Sequence, residues 1–76
     1  MSKRNKYWVV WNQIVWQVKK EGSIKAIKNF EVKKDAVDYG VQVARNNQPS
    51  QLTIKKKDGT IEEERTYGSD PFPPRG

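Results

Sequence analysis

The chain has no cysteine and no histidine among its 76 residues. Without cysteine, neither a disulfide framework nor a thiolate metal site can hold a small fold together. Without histidine, the commonest general base, the commonest metal ligand and the usual switch near neutral pH are all missing. Long apolar runs are missing too. The longest, residues 7–11, falls far short of the roughly 20 residues a membrane span needs. The polar, basic opening Ser2-Lys3-Arg4-Asn5-Lys6 is followed by no apolar stretch of signal-peptide length, which predicts a cytoplasmic protein without membrane contact. There is no glycine-rich phosphate loop and no nucleophile paired with a base. Asp35 and Asp38 belong to the polar face of a helix, and Glu62-Glu63-Glu64 alternates between faces and cannot converge on one metal. This inventory predicts no enzyme, no metal and no cofactor.

Positive charge and aromatic rings are what the chain has in excess. Fifteen Lys and Arg against nine Asp and Glu give a formal charge of +6. Three Trp, three Tyr and two Phe can fill much of the core of a chain that buries only about 60% of its unfolded surface. The charge is unevenly placed. Residues 1–34 hold nine bases and two acids, a net of +7, whereas residues 35–76 hold six bases and seven acids, a net of −1.

The pattern of apolar residues sets out the elements. Residues 6–11 and 15–20 read as strands rich in aromatic and β-branched side chains, with a turn at Asn12-Gln13. Residues 24–30 read as a third strand after the Glu21-Gly22-Ser23 turn signal. Residues 33–47 are the one helical stretch. At 100° per residue, Ala36, Val37, Gly40, Val43 and Ala44 share one arc, and Asn46-Asn47-Gln48-Pro49 stops it. The small residues Ala36, Gly40 and Ala44 at the centre of that arc predict close packing on a sheet. Asp58-Gly59 is a strong hairpin signal between residues 51–57 and 60–65. A two-residue loop there pairs Lys57 with Thr60, Lys55 with Glu62 and Thr53 with Glu64, and places Leu52, Ile54 and Ile61 on the core face. Three of the four prolines lie in the tail. The fold class is α+β: an antiparallel β-sheet with a single helix on one face, in the order β-β-β-α-β-β. It comprises a flexible basic arm over residues 1–6, one domain over 7–66 and a Pro-rich tail over 67–76. The tail is expected to pack on the domain through Phe72 or Tyr67.

Particular residues carry a resemblance. Trp16-Gln17-Val18-Lys19, Ala26, Ala36, Ala44, Asp58-Gly59 and the tail pattern Tyr67-Gly68, Asp70-Pro71, Pro73-Pro74 and Gly76 resemble the prokaryotic family of small proteins known as domain of unknown function 2188. The chain departs from that pattern where Val32 replaces a helix-opening Thr, where Trp11 replaces a Pro at the end of the first strand, and where a His in that strand is missing. The resemblance implies a compact α+β domain of bacterial or phage-like origin and no particular activity.

The charge asymmetry and the aromatics point to a polyanion. Lys3, Arg4 and Lys6 of the arm, with Lys19, Lys20, Lys25 and Lys28, form a candidate stripe for phosphates. Lys55, Lys56 and Lys57 read as neutralised by Glu62, Glu63 and Glu64 across the hairpin. Both parities of the first strand are apolar, so one set is surplus to a one-sided core. Tyr7 and Trp11 are taken as the exposed set, giving apolar or stacking contact. The reading is a nucleic-acid-binding protein, directed at duplex DNA and mainly at its backbone. The alternative is a protein-interaction or regulatory adaptor, homodimeric through its aromatic sheet face.

Overall fold

The computed structural model describes residues 4–68. Its elements follow the expected order: β1 (Asn5–Trp11), β2 (Trp16–Lys20), β3 (Ala26–Phe30), α1 (Lys33–Asn46), β4 (Ser50–Lys55) and β5 (Ile61–Tyr67). The class is α+β, with five strands in one sheet ordered β3-β2-β1-β4-β5. The sheet is mixed and not antiparallel throughout. β1–β2, β2–β3 and β4–β5 pair antiparallel, while β1–β4 pairs parallel. The cause is the chain's path. Two reversals leave β3 running in the same direction as β1. The 14 residues of α1 then span about 21 Å at roughly 1.5 Å per residue, enough to carry the chain back to the end of the sheet where β1 begins. β4 therefore sets out in parallel beside β1, and the first strand in sequence becomes the central strand in space.

One face of the sheet is covered by α1. Ala36, Gly40 and Ala44 are its buried residues, as the small-residue arc predicts. A Cβ on Gly40 would lie 3.1 Å from a methyl of Leu52 and 3.3 Å from one of Val9, so the absent side chain is what lets helix and sheet approach this closely. Tyr7, Val9, Trp16, Val18, Leu52 and Ile54 complete the core from the sheet side. The Ser50 hydroxyl, fully buried, donates to the Ala44 carbonyl at the last turn of the helix. Val32 stands at the N-cap with no side-chain hydrogen bond to offer.

The last hairpin departs from the expected register. Lys56 N–H donates to the Thr60 carbonyl (2.8 Å) and Gly59 N–H to the Lys56 carbonyl (3.0 Å), so the loop holds three residues and not two. Gly59 takes a φ of +91°, the left-handed position that such loops require. Asp58 fastens the turn by accepting from the Thr60 amide (2.9 Å) and hydroxyl (2.7 Å). Thr53 does face Glu64, but a bulge between Ile54 and Lys55 sets Lys55 opposite Ile61. Ile61 thereby leaves the core face and is half exposed.

The boundaries shift at both ends. Asn5, assigned from the sequence to a flexible arm, pairs in β1 with Ser50, and Lys6, at the junction of arm and strand, pairs with Gln51. Tyr67, assigned to the tail, closes β5 opposite Ser50 and packs against the core. Lys3 and the tail from residue 69 onward, with the expected packing of Phe72, lie outside the described residues. Among the described residues no helix is long and apolar enough to cross a membrane.

Candidate nucleic-acid interface

The parity of β1 decides which rings are available. Val9 pairs with Val18 and Ile54, and Tyr7 pairs with Leu52. Paired residues point to the same side of a sheet, so Tyr7, Val9 and Trp11 turn toward α1, while Trp8 and Val10 face the open side. This reverses the expectation for two site residues. Tyr7 is 4% exposed and belongs to the core. Trp11 lies at the end of the covered face, its ring 5.3 Å from that of Trp16 at a tilt of 51°. Neither offers a surface on the open sheet. The open face carries one large ring among the described residues, and it is Trp8.

The lysines sort in the same way. Lys19 stands opposite Trp8 on the open face, and Lys6, two residues before Trp8 on β1, shares its side. Lys20 ends β2 opposite Tyr7, on the parity of the covered side, and is exposed at the rim of the sheet, and Lys25 is exposed in the connection to β3. Lys28 pairs with Val18 on the covered side, where its ammonium lies 5.4 Å from the Phe30 ring and 5.5 Å from the Tyr39 ring. It therefore does not join a stripe with Lys19. Arg4 is engaged in the fold: its guanidinium donates to the carbonyls of Ser50 (3.3 Å), Tyr67 (3.4 Å) and Gly68 (3.2 Å), tying the start of β1 to β4 and the end of β5.

The run Lys55–Lys57 is not neutralised across the hairpin. Glu62 pairs with Lys33 and Glu63 with Arg65. Glu64, opposite Thr53, stays on the open side of β5 without pairing to a lysine among the described residues. Lys55 and Lys57 instead lie over rings, Lys55 at 4.8 Å from the centre of Trp8 and Lys57 at 4.5 Å from that of Trp11. With Lys33 at 5.0 Å from Trp16, each tryptophan is capped by an ammonium. A cation over an indole face is favourable because the ring quadrupole is negative there. Sequence reasoning missed Trp8 and Lys55 as site residues. The signal that could have found them is the parallel β1–β4 register, which aligns the alternating Leu52-Thr53-Ile54 with Tyr7-Trp8-Val9.

Trp8, Val10, Lys19 and Lys55 line a shallow groove of about 270 Å³ on the open face, closed at one end by Lys20 and the turn at residues 21–23. A second groove of about 560 Å³ adjoins it, sharing Lys20 and Glu21 and reaching Asn5, Lys6 and Arg4. Together they make a basic track beside β1. Thr53, the neighbour of Trp8 on β4, is only 5% exposed although it faces the open side. Among the described residues Lys6, Lys19, Lys20, Lys25 and Lys55 have no ion-pair partner.

A third groove, about 300 Å³, lies on the other side between α1 and β5 over Val37 and Ile54. Its charges are already matched: Lys33 with Glu62, Lys34 with Asp38 at 2.9 Å, and Arg65 with Glu63 at 2.8 Å. The Arg65 hydrogen bond holds the Glu63 carboxyl below its ordinary pKa, and the Asp38 hydrogen bond and charge raise that of Lys34. Ion pairs satisfied within the fold leave little for a charged ligand, in contrast to the open-face lysines.

The family model of an uncharacterized protein conserved in bacteria (DUF2188) matches residues 7–67. The chain belongs to that family. The matched segment runs from Tyr7 in β1 to the end of β5 and takes in Trp8, Lys19, Lys20 and Lys55, while Arg4 and Lys6 precede it. No curated protein and no solved structure matches the chain.

Proposed function

We propose that this DUF2188 protein binds nucleic acid through the open face of its sheet. The observation that carries the reading is the set of lysines without ion-pair partners among the described residues, Lys19 and Lys6 on the side of the sheet that Trp8 floors and Lys55 supplied from β4, with Lys20 at the rim. Ammonium groups that no protein carboxylate neutralises are free to replace the counterions of a phosphate backbone. Three or four such contacts supply affinity and orientation without reading base edges. Lys25, exposed in the connection between β2 and β3, adds to the positive field. Arg4, Tyr7, Trp11 and Lys28 take structural roles in this reading.

Salt dependence tests it. Fluorescence anisotropy of a labelled oligonucleotide should give a log–log slope of binding against salt of about −2 to −3, the value for three neutralised phosphates. Lys6→Glu with Lys19→Glu should abolish binding at 100 mM salt, and Lys34→Glu on the helix side should leave it within twofold. Equal losses from the two sides would mean that only net charge matters and that the open face is no site.

A protein-interaction or regulatory adaptor is the second reading. The observation that favours it is exposed apolar surface at edge strand β3 and the turn before it, where Ile24 is 94% exposed and Ile27 42%. A dimer in light scattering that persists at high salt, lost in Ile24→Ser with Ile27→Ser, would support it.

A further inference from the structure

Resting on the nucleic-acid reading, we infer that the open face takes a single strand and not a duplex, with Trp8 as the stacking platform for an unpaired base and Lys6, Lys19 and Lys55 on the flanking phosphates. The sheet order is the first reason. β1 is the central strand, with two strands on either side. At about 4.8 Å per strand the sheet is roughly 19 Å wide, whereas the major groove of B-form DNA is about 12 Å wide. A sheet laid flat on an unbent B-form duplex therefore cannot bring its central strand to the base edges, and Trp8 stands on that strand.

The second reason is the chemistry of the floor. Trp8 offers the face of a ring, and in a duplex the faces of the bases are hidden in the stack. An unpaired base exposes its face, and stacking on an aromatic side chain is tolerant of sequence. The Trp8 face is now capped by the Lys55 ammonium at 4.8 Å. A base that displaces this ammonium brings its own phosphate close to it, so the same lysine passes from ring to phosphate without leaving the groove.

The third reason is the shape of the basic surface. The Trp8 groove runs into the one bounded by Lys20, Lys6 and Arg4, making a track along β1. The seven residues of β1 extend about 23 Å at roughly 3.3 Å each. That suits about four nucleotides, the lower end of single-strand site sizes. Around the track the open face carries Gln17, Asn29 and Gln51, and the Gln17 amide donates to the Asn29 carbonyl oxygen at 3.2 Å. Such groups can hydrogen-bond the edges of splayed bases. A duplex has other routes, entry of the β4–β5 hairpin tip at residues 56–60 into a major groove, which a two-stranded ribbon fits, or bending that opens the minor groove to the sheet.

The experiment compares a labelled mixed-sequence 12-mer of single-stranded DNA with the same sequence as a duplex, at equal low salt, for the full chain and for Trp8→Leu and Trp8→Phe. The single strand should bind at least tenfold more tightly. Trp8→Leu should lose ten- to hundredfold on the single strand, Trp8→Phe should recover most of the loss, and duplex binding should respond to neither. If Trp8→Leu does not fold, quenching of tryptophan emission by the single strand in the full chain, reduced in Trp8→Phe, reads the same stacking. A duplex bound as tightly as the single strand, or more dependent on Lys56 than on Trp8, overturns the inference and leaves the nucleic-acid reading standing. Binding to neither overturns the reading beneath it.

Discussion

The Lys55 ammonium lies 4.8 Å from the centre of the Trp8 ring, joining β4 to β1 across the open face. The pair arises from the parallel register that sets Trp8 opposite Thr53, two residues before Lys55 and on the same side of β4, while the bulge in β5 puts Ile61 and not Glu62 opposite Lys55. At an exposed site such a contact contributes about 0.5–1 kcal/mol. Lys55→Met keeps the aliphatic stem over the ring and removes the charge. It should cost less than about 1 kcal/mol in chemical denaturation and weaken oligonucleotide binding several-fold, with a shallower salt slope. An unchanged slope would remove Lys55 from the site.

Gly40 is buried where α1 meets β1 and β4, with its missing Cβ 3.1 Å from a Leu52 methyl. Gly40→Leu gains helix propensity of roughly 1 kcal/mol, yet it forces a large side chain into filled space. Overpacking of this kind costs about 1–3 kcal/mol or more, and the second effect should win. Thermal melting should show a lower Tm than the parent. A higher Tm would mean that the helix can lift from the sheet at no cost.

Val32 occupies the N-cap of α1 with extended backbone (φ −115°, ψ 133°), makes no capping hydrogen bond and is half exposed. The conformation suits a capping side chain, and little packing is lost with the valine. Val32→Asp should therefore add about 0.5–2 kcal/mol by accepting from the orphan amides of the first turn and by setting a negative charge at the positive end of the helix. Urea titration checks it, and a loss of stability would show that the valine packs more than its exposure suggests.

The hairpin turn carries a pH dependence of known sign. The Thr60 hydroxyl and amide hold the Asp58 carboxyl below its ordinary pKa of 3.8. A carboxyl with a depressed pKa in the folded state stabilises that state above its unfolded pKa, and the contribution is lost as pH falls through the folded value. The full chain should lose stability from about pH 4 downward, and Asp58→Asn should show a smaller loss over the same range. Parallel acid curves for the two proteins would assign that loss to other carboxylates, Glu63 beside Arg65 among them.

Much of the fold was legible because its signals are local. The α1 arc of Ala36, Gly40 and Ala44 follows from helical period, and the turn at Asp58-Gly59 from residues that favour left-handed backbone. What was not legible depends on partners distant in sequence. Tyr7-Trp8-Val9-Val10-Trp11 is apolar on both parities, so alternation could not say which face is covered. The answer comes from Leu52 and Ile54, more than forty residues away, through a parallel pairing. The hairpin was misread by one residue because Gly59 is used in a three-residue loop. That single slip concealed the open-face position of Ile61 and the turn of Glu62 from Lys55 to Lys33. Lys28 looked like part of a phosphate stripe because sequence shows its charge but not the Phe30 and Tyr39 rings that hold it on the helix side.

The most direct measurement is a two-dimensional amide NMR titration of the full chain with single-stranded DNA at low salt. The Trp8 indole N–H and the amides of Lys19, Lys20 and Lys55 should shift and saturate together. Gln42 and Arg45, on the outer face of α1, should stay in place. Shifts concentrated on α1, or none on the open face at saturating oligonucleotide, would contradict the assignment of that face to nucleic acid.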